Sequence, residues 1–299
     1  MSSSPEQLRA PSADDADSIA ALYAGTRSLD AREVRSWFAN PTFDPTNDFR
    51  VLVRDGSVVG YADVHSEVDR LSLDFITADA RAGHTLLDWA ETRAREQALA
   101  RVVAHSWPGA GVLRSVLSER GFTPYRSSLE MQAPLDDETP EPVWPDGIRV
   151  RTVRPDEERE VHALLGEAFA DTHDFRPTPF EEWAAWWDGE GKRLDLWFAA
   201  EACGVLAGVS LLEAERVGSP GLGWVESLGV RRSRRRHGLG RALLLHSFRS
   251  LRRLGCTAVG LSVQADNPTG AVRLYESVGM RPVSERVLYE KRLPDASAF

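Results

Sequence analysis

Arg235, Gly238 and Gly240 stand in the spacing Arg-x-x-Gly-x-Gly, and Ala242 to Leu245 continue at helical spacing. A glycine-rich turn that opens a helix is an anion site. Its backbone N–H groups point outward and the helix dipole favours negative charge there. Glycine is needed because a side chain would hold phosphate away from the backbone. The N–H groups of Gly238, Leu239, Gly240, Arg241 and Ala242 are therefore the expected cradle for a diphosphate. Arg235 and Arg236 add positive charge, and Arg231, Arg232 and Arg234 stand close by in the chain. This is not a dinucleotide fingerprint, because Leu243 takes the place of the third glycine, and it lacks the Gly-Lys-Ser/Thr of a Walker loop. Around it lie groups suited to proton transfer: Glu226 before the turn, and Asn267 and Tyr275 after the next apolar run. A carboxylate can remove a proton, and a phenol holds its proton at pH 7 yet can give it up.

The pattern requires a strand, the turn, a helix, a second strand and a short helix to carry these groups. Residues 225–230 and 258–263 read as the strands, and residues 273–279 as a helix ending at Gly279. Period-2 alternation predicts that Glu226, Leu228 and Val230 share one strand face. Upstream in the same half come a strand at 148–153, helices at 156–169 and 180–188, and paired strands at 196–200 and 204–213. A strand at 283–293 is expected to close this sheet. The first half repeats the order: a helix at 14–23, a hairpin at 49–53 and 58–64 around Asp55-Gly56, a strand at 71–76, a helix at 85–98, a strand at 102–106, a helix at 112–120 and a final strand pair. Between the halves, residues 134–146 are rich in Pro and acid and read as an extended linker. The expected organisation is α/β, with a first domain over 1–133 and a second over 147–299, each a mixed twisted sheet flanked by helices.

The stretch from Val225 to Tyr275 resembles the acetyl-CoA-binding core of the GNAT superfamily of N-acetyltransferases. The family signature is Arg/Gln-x-x-Gly-x-Gly/Ala after a strand, which Arg235, Gly238 and Gly240 match, and Asn267 and Tyr275 fit the residues that follow the next strand. The linker-joined pair of domains resembles the tandem architecture of mycothiol synthase and its relatives. The resemblance implies transfer of an acetyl group from acetyl-CoA to a primary amine of a small molecule or peptide, by direct attack in a ternary complex. Glu226 is then the base, since a free alkyl amine has a pKa of about 10.4 and is almost wholly protonated at neutral pH. Tyr275 is the acid for the departing thiolate. Leu228, Gly229 and Val230 offer backbone groups to the thioester and to a pantetheine arm lying as an extra strand in a splayed gap. Asn267 binds that arm or caps the following helix through Pro268, and Ala271 lines the same place. The nearby enzyme alternative that the resemblance implies is mycothiol synthase-like acetylation of a cysteinyl sugar amine, against which Trp224 speaks, since it stands where other members carry an acidic residue.

The first half is a degenerate copy. Its turn, residues 77–84, has one glycine and places Asp79 where a phosphate would approach. A non-catalytic acyl-CoA-binding role for the whole chain is the alternative of a different class. Aromatic and acidic residues between Phe169 and Trp187, among them Asp171, His173, Asp174, Trp183, Trp186 and Trp187, are either core or a wall for the acceptor. A net charge of −9 at pH 7 argues against general nucleic-acid binding. The two cysteines form neither a metal set nor a disulfide framework, and the polar start of the chain has no signal core. The expectation is a cytoplasmic monomer or homodimer that uses acetyl-CoA and an amine, with no metal, membrane or nucleic-acid partner.

Overall fold

The computed structural model describes residues 6–26, 29–40, 43–67, 69–173, 175–187, 193–215 and 219–294. The chain forms two compact units, one of Met1–Ser128 with Glu285–Phe299, the other of Leu129–Ser284. In chain order the first contains β1 (Gln7–Arg9), α1 (Ala16–Leu22), α2 (Ala31–Ala39), β2 (Phe49–Arg54), β3 (Ser57–Ser66), β4 (Arg70–Thr77), α3 (Ala80–Glu96), β5 (Arg101–Ser106) and α4 (Gly111–Glu119). Strand β6 (Thr123–Pro134) leads into the second unit, with β7 (Ile148–Thr152), α5 (Glu158–Phe169), α6 (Phe180–Trp187), β8 (Trp197–Ala202), β9 (Val205–Glu213), β10 (Leu222–Val230), α7 (Leu239–Arg253), β11 (Ala258–Gln264) and α8 (Ala271–Glu276). The last strand, β12 (Arg281–Arg292), leads back to the first.

The first unit orders its strands β1-β2-β3-β4-β5-β12. The hairpin of β2 and β3 turns through Asp55 and Gly56, both at positive φ, as the Asp-Gly pair predicts. Helices α3 and α4 pack on one face through Leu86, Leu87, Leu113 and Val116. Helices α1 and α2 cover the other around Ile19, Val34, Phe49 and Tyr61. Strand β1 and helix α2 are not among the elements expected from the sequence.

The second unit orders its strands β6-β11-β10-β9-β8-β7. The apolar face of α7, with Leu244, Leu245, Phe248 and Leu251, fills the space against Val259, Leu261 and Val263. On the opposite face α5 and α6 pack on Trp197 and Val209. Trp183 and Trp187 belong to that core, with ring centroids 5.7 Å and 4.9 Å from Trp197. Asp174 and the side chain of Trp186 lie outside the described residues. The acidic connection between β6 and β7 is not free of the unit: Arg252 pairs with Asp137, and Arg249 pairs with Glu141 at 2.6 Å.

One departure from the sequence reading concerns the strands at the ends of the two halves. Residues 283–293 were expected to close the second sheet. Instead β12 runs antiparallel to β5, from Val287 opposite Ser106 to Arg292 opposite Arg101. Meanwhile β6, expected in the first domain, neighbours β11, where its Gln132 packs near Gly260. Alternating polarity predicts that a segment is a strand but says nothing of which edge it joins.

Candidate active site

Strands β10 and β11 run parallel, yet their register holds only for Leu222, Gly223 and Trp224 against Ala258, Val259 and Gly260. Beyond that point β10 continues to Val230 and β11 to Gln264 without pairing to each other, which leaves a splayed gap. Trp224 fixes the closed end: its ring fills the space above Gly260, where a Cβ would lie 2.4 Å from Cζ3. A cleft of about 530 Å³ occupies the gap and extends to the start of α7. Leu228 and Val230 line it from β10, Ser262 and Gln264 from β11, and Asn267, Ala271 and Tyr275 from the segment that follows.

Helix α7 opens at the glycine turn as the spacing predicts. Gly238 is the N-cap of α7 at φ +84°, a left-handed conformation natural to glycine, and no atom lies within 4 Å of where a Cβ would sit. The first backbone bond entering the helix is from Ala242 N–H to Gly238 O, at 3.0 Å. The N–H groups of Leu239, Gly240 and Arg241 therefore stay outside the helical ladder and are available to a ligand. That of Ala242 is already used, so Ala242 leaves the list of expected donors. Leu239 and Ala242 bury their side chains, at 2% and 1% exposure. A Cβ on Gly240 would come within 3.3 Å of Leu274 Cδ2, so a larger residue there would crowd the cleft wall.

The arginines divide into two groups. Arg231 pairs with Glu167 at 2.8 Å, and Arg232 pairs with Asp171. Arg235 lines the cleft, yet its guanidinium is committed to protein partners: Val230 O at 3.1 Å, Ala168 O at 3.0 Å and Asp171 at 2.8 Å. Its expected role as a free positive charge is thus replaced by a tie between β10 and the end of α5. Arg236 reaches Thr269 O at 3.3 Å, and Arg241 has no ion-pair partner among the described residues. Arg273, which the sequence reading passed over, lines the cleft with them. Its signal was available, since it lies two residues before Tyr275 in the segment that also contains Asn267.

Glu226 sits differently from its expected place. Val225 opposes Leu212 and Ser227 opposes Leu211, so Glu226 is the extra residue of a β-bulge. The bulge shifts the alternation by one: Val225 and Leu228, three apart, both pack on the α7 side. Glu226 therefore does not share the face of Leu228 and Val230, as strict alternation would have it. It is exposed and outside the residues that line the cleft. Gly229 turns toward α5, where a Cβ would meet Leu165 at 2.9 Å.

Tyr275 is buried in α8 and lines the cleft, and burial pushes its phenol up to about 12. Its hydroxyl has no hydrogen-bond partner among the described residues. Asn267 accepts from Thr269 N–H at 3.0 Å and from Thr269 Oγ1 at 2.6 Å, forming a side-chain turn. The cap of α8 is instead Gly270, at φ +81°. Asn267 is thus not the helix cap, and its amide nitrogen remains available at the cleft.

Known proteins resemble this chain in sequence and fold. Residues 159–280 match the acetyltransferase (GNAT) family. A mycothiol acetyltransferase of Thermomonospora curvata is 30% identical over 253 residues, covering 81% of this chain and 82% of the relative. One from Thermobispora bispora is 36% identical over 180 residues, which span 57% of this chain and 59% of that relative's length. Among solved structures, a GCN5-related N-acetyltransferase from Sphaerobacter thermophilus superposes with a TM-score of 0.80 at 30% identity, over 96% of this chain and 95% of the other. A tandem GNAT protein from the clavulanic acid biosynthesis pathway shares the fold, with a TM-score of 0.72 at 18% identity over 96% of this chain and 98% of the other.

Proposed function

The chain belongs to the GNAT acetyltransferase family and is an acetyl-CoA-dependent N-acetyltransferase, and from that premise we propose that the second unit carries the whole acyl-donor site. The observation that supports this most directly is the coincidence of an open helix N-terminus and a splayed strand gap in one cleft. The diphosphate lies against the N–H groups of Leu239, Gly240 and Arg241, where glycine leaves room and the helix dipole is favourable. Arg236, Arg241 and Arg273 supply counter-charge around it. The extended arm lies between β10 and β11, taking the backbone bonds these strands do not give each other.

Acetyl-CoA supplies an activated acyl group as its thioester. The chain supplies the rest. Backbone N–H groups of β10 beyond the bulge polarise the acyl carbonyl. Glu226, exposed at the bulge, takes the amine proton, directly or through water. Tyr275 donates its proton to the sulfur as the C–S bond breaks. A phenol pushed up to about 12 stays protonated at working pH, so it is a donor and not a base. The balance closes: the nitrogen lone pair forms the new C–N bond, the C–S pair leaves on sulfur, and one proton moves at each end.

The acceptor is a primary amine of a small molecule or peptide. A cysteinyl sugar amine is the specific reading favoured by the mycothiol acetyltransferase relatives. Trp224, which argued against it in the sequence, is 3% exposed and packs over Gly260, so its departure from an acid is a change in the core. A cytoplasmic setting fits two cysteines that are both free thiols. Among the described residues no helix is long and apolar enough to cross a membrane. The test is thiol release from acetyl-CoA with a panel of primary amines: a cysteinyl amino sugar, glucosamine, a peptide with a free N-terminus and a polyamine. Acetylation of at least one is the expected result. Tight acetyl-CoA binding with no amine acetylated would favour a non-catalytic binding protein instead.

A further inference from the structure

Gln264 ends β11 at the wide end of the gap. Val259, Leu261 and Val263 turn into the core against α7, so by alternation Ser262 and Gln264 face the α5 side. There Gln264 Nε2 donates to the backbone carbonyl of His173 at 3.0 Å. A carbonyl only accepts, so this bond fixes which end of the side-chain amide is which. The other end, Oε1, is shielded from solvent and takes no hydrogen bond among the described residues, although Gln264 lines the cleft. A buried acceptor left without a donor is costly, and such atoms are rare enough to need a reason.

The segment that Gln264 holds is itself tied to both strands of the gap. Asp171 pairs with Arg232 and, at 2.8 Å, with Arg235, whose Nε reaches Val230 O at the end of β10. His173 Nε2 lies 3.7 Å from Asp266 Oδ2, just past the end of β11. Residues 171–173 thus form a strap over the α5 side of the gap. The ion pairs are partly exposed and individually weak. A strap held by such ties can lift without breaking the core.

We infer that Gln264 orients the acyl acceptor: its amide oxygen receives an N–H of the incoming amine when the strap lifts from it. The inference rests on the acetyltransferase reading of the second unit. A neutral amine that gives one N–H to Oε1 has its lone pair turned by that bond. As the nitrogen gains positive charge during attack, it meets the negative end of the amide dipole. An amide oxygen cannot hold the released proton at neutral pH, so proton removal stays with Glu226. The orphan oxygen and the amine thereby satisfy each other.

The experiment compares Gln264→Leu with Gln264→Glu. Both lose the Nε2 bond to His173, and only the second keeps an oxygen acceptor. Calorimetric titration with acetyl-CoA checks the folded donor site of each variant. Thiol release is then measured with whichever amine of the panel wild type acetylates best. The expected result is acetyl-CoA affinity within about twofold for both, kcat/KM for the amine down roughly tenfold or more in Gln264→Leu, and a value within about threefold of wild type in Gln264→Glu. Equal losses in both variants would show that the residue acts only by holding the strap, and would overturn the inference. So would an unchanged Gln264→Leu, or a loss of acetyl-CoA affinity in it. If wild type binds acetyl-CoA but acetylates no amine of the panel, the functional reading fails and takes this inference with it.

Discussion

Two helix N-termini occupy equivalent places in the two units and are used in opposite ways. At α7 the cap is Gly238, which has no side chain, and the first N–H groups remain open. At α3 the cap is Asp79, whose carboxylate accepts from Ala82 N–H at 2.9 Å. Arg54 binds that carboxylate at 2.6 Å, holding it below the usual range, and Glu6 reaches both Arg54 and Arg81. The strands differ in the same sense. In the first unit β4 and β5 pair from Arg70 opposite Arg101 to Asp74 opposite His105. Trp107 then closes the end by donating Nε1 to Asp74 at 3.0 Å. In the second unit pairing stops at Trp224 and Gly260. A helix dipole and free N–H groups need an anion either way. One unit carries its own anion and zips its gap, and the other does neither.

The most severe way to break this contrast is to make the second unit like the first. Gly238→Asp places a carboxylate in the cradle at a left-handed position that Asp tolerates better than most residues. Acetyl-CoA affinity by calorimetry is expected to fall about a hundredfold, equivalent to ~3 kcal/mol. Retained affinity in the folded variant would remove the cradle assignment. Tyr275→Phe is expected to lower kcat roughly a hundredfold with acetyl-CoA affinity unchanged. In wild type no alkaline loss of rate should trace to Tyr275 until pH nears its value of about 12. Wild-type turnover in the variant would take Tyr275 out of the chemistry. Glu226→Gln is expected to cost about tenfold at neutral pH, because water can partly replace an exposed base. Its rate should climb with pH toward the amine's own pKa of about 10.4, and an unaltered pH profile would point to another base. The mildest change runs the other way. Asp79→Ala removes the cap of α3 and should lower stability by ~1 kcal/mol in thermal melts. Calorimetry should still find a single acetyl-CoA site, because the paired strands keep the gap shut. A second site in that variant would mean that the carboxylate alone had closed the first unit.

What the sequence reveals of this site is its local part. The glycines, the helix start and the strand on either side are set by neighbours in the chain, and they form within three residues of their expected places. Arg235 shows the limit. Its type and position suggested phosphate, but its partners Ala168 and Asp171 lie more than sixty residues away. Glu226 shows another: its bulge exists only because β9 offers one residue where β10 has two. Asp79 was legible as a misplaced charge, yet Arg54 and Glu6, which make it a stable cap, come from distant segments. The destinations of β6 and β12 were hidden for the same reason, since period-2 patterning identifies a strand without naming its neighbour.

The return of β12 to the first unit sets a schedule for synthesis. The segment Leu129–Ser284 must leave the ribosome before the strand that borders β5 does, an interval of about ten to thirty seconds at ordinary elongation rates. During it the Val-rich edge of β5 has backbone groups awaiting a strand not yet made, the kind of edge that recruits foreign strands. The second unit has its full set of strands first, because β6 precedes it, so the second unit can close while the first is still open. A gene split at residues 134–146 would leave β6 with one piece and β12 with the other, each on the wrong side of the cut. Cell-free synthesis halted before residue 285 should therefore yield a protease-resistant second unit beside a first unit that is still digestible.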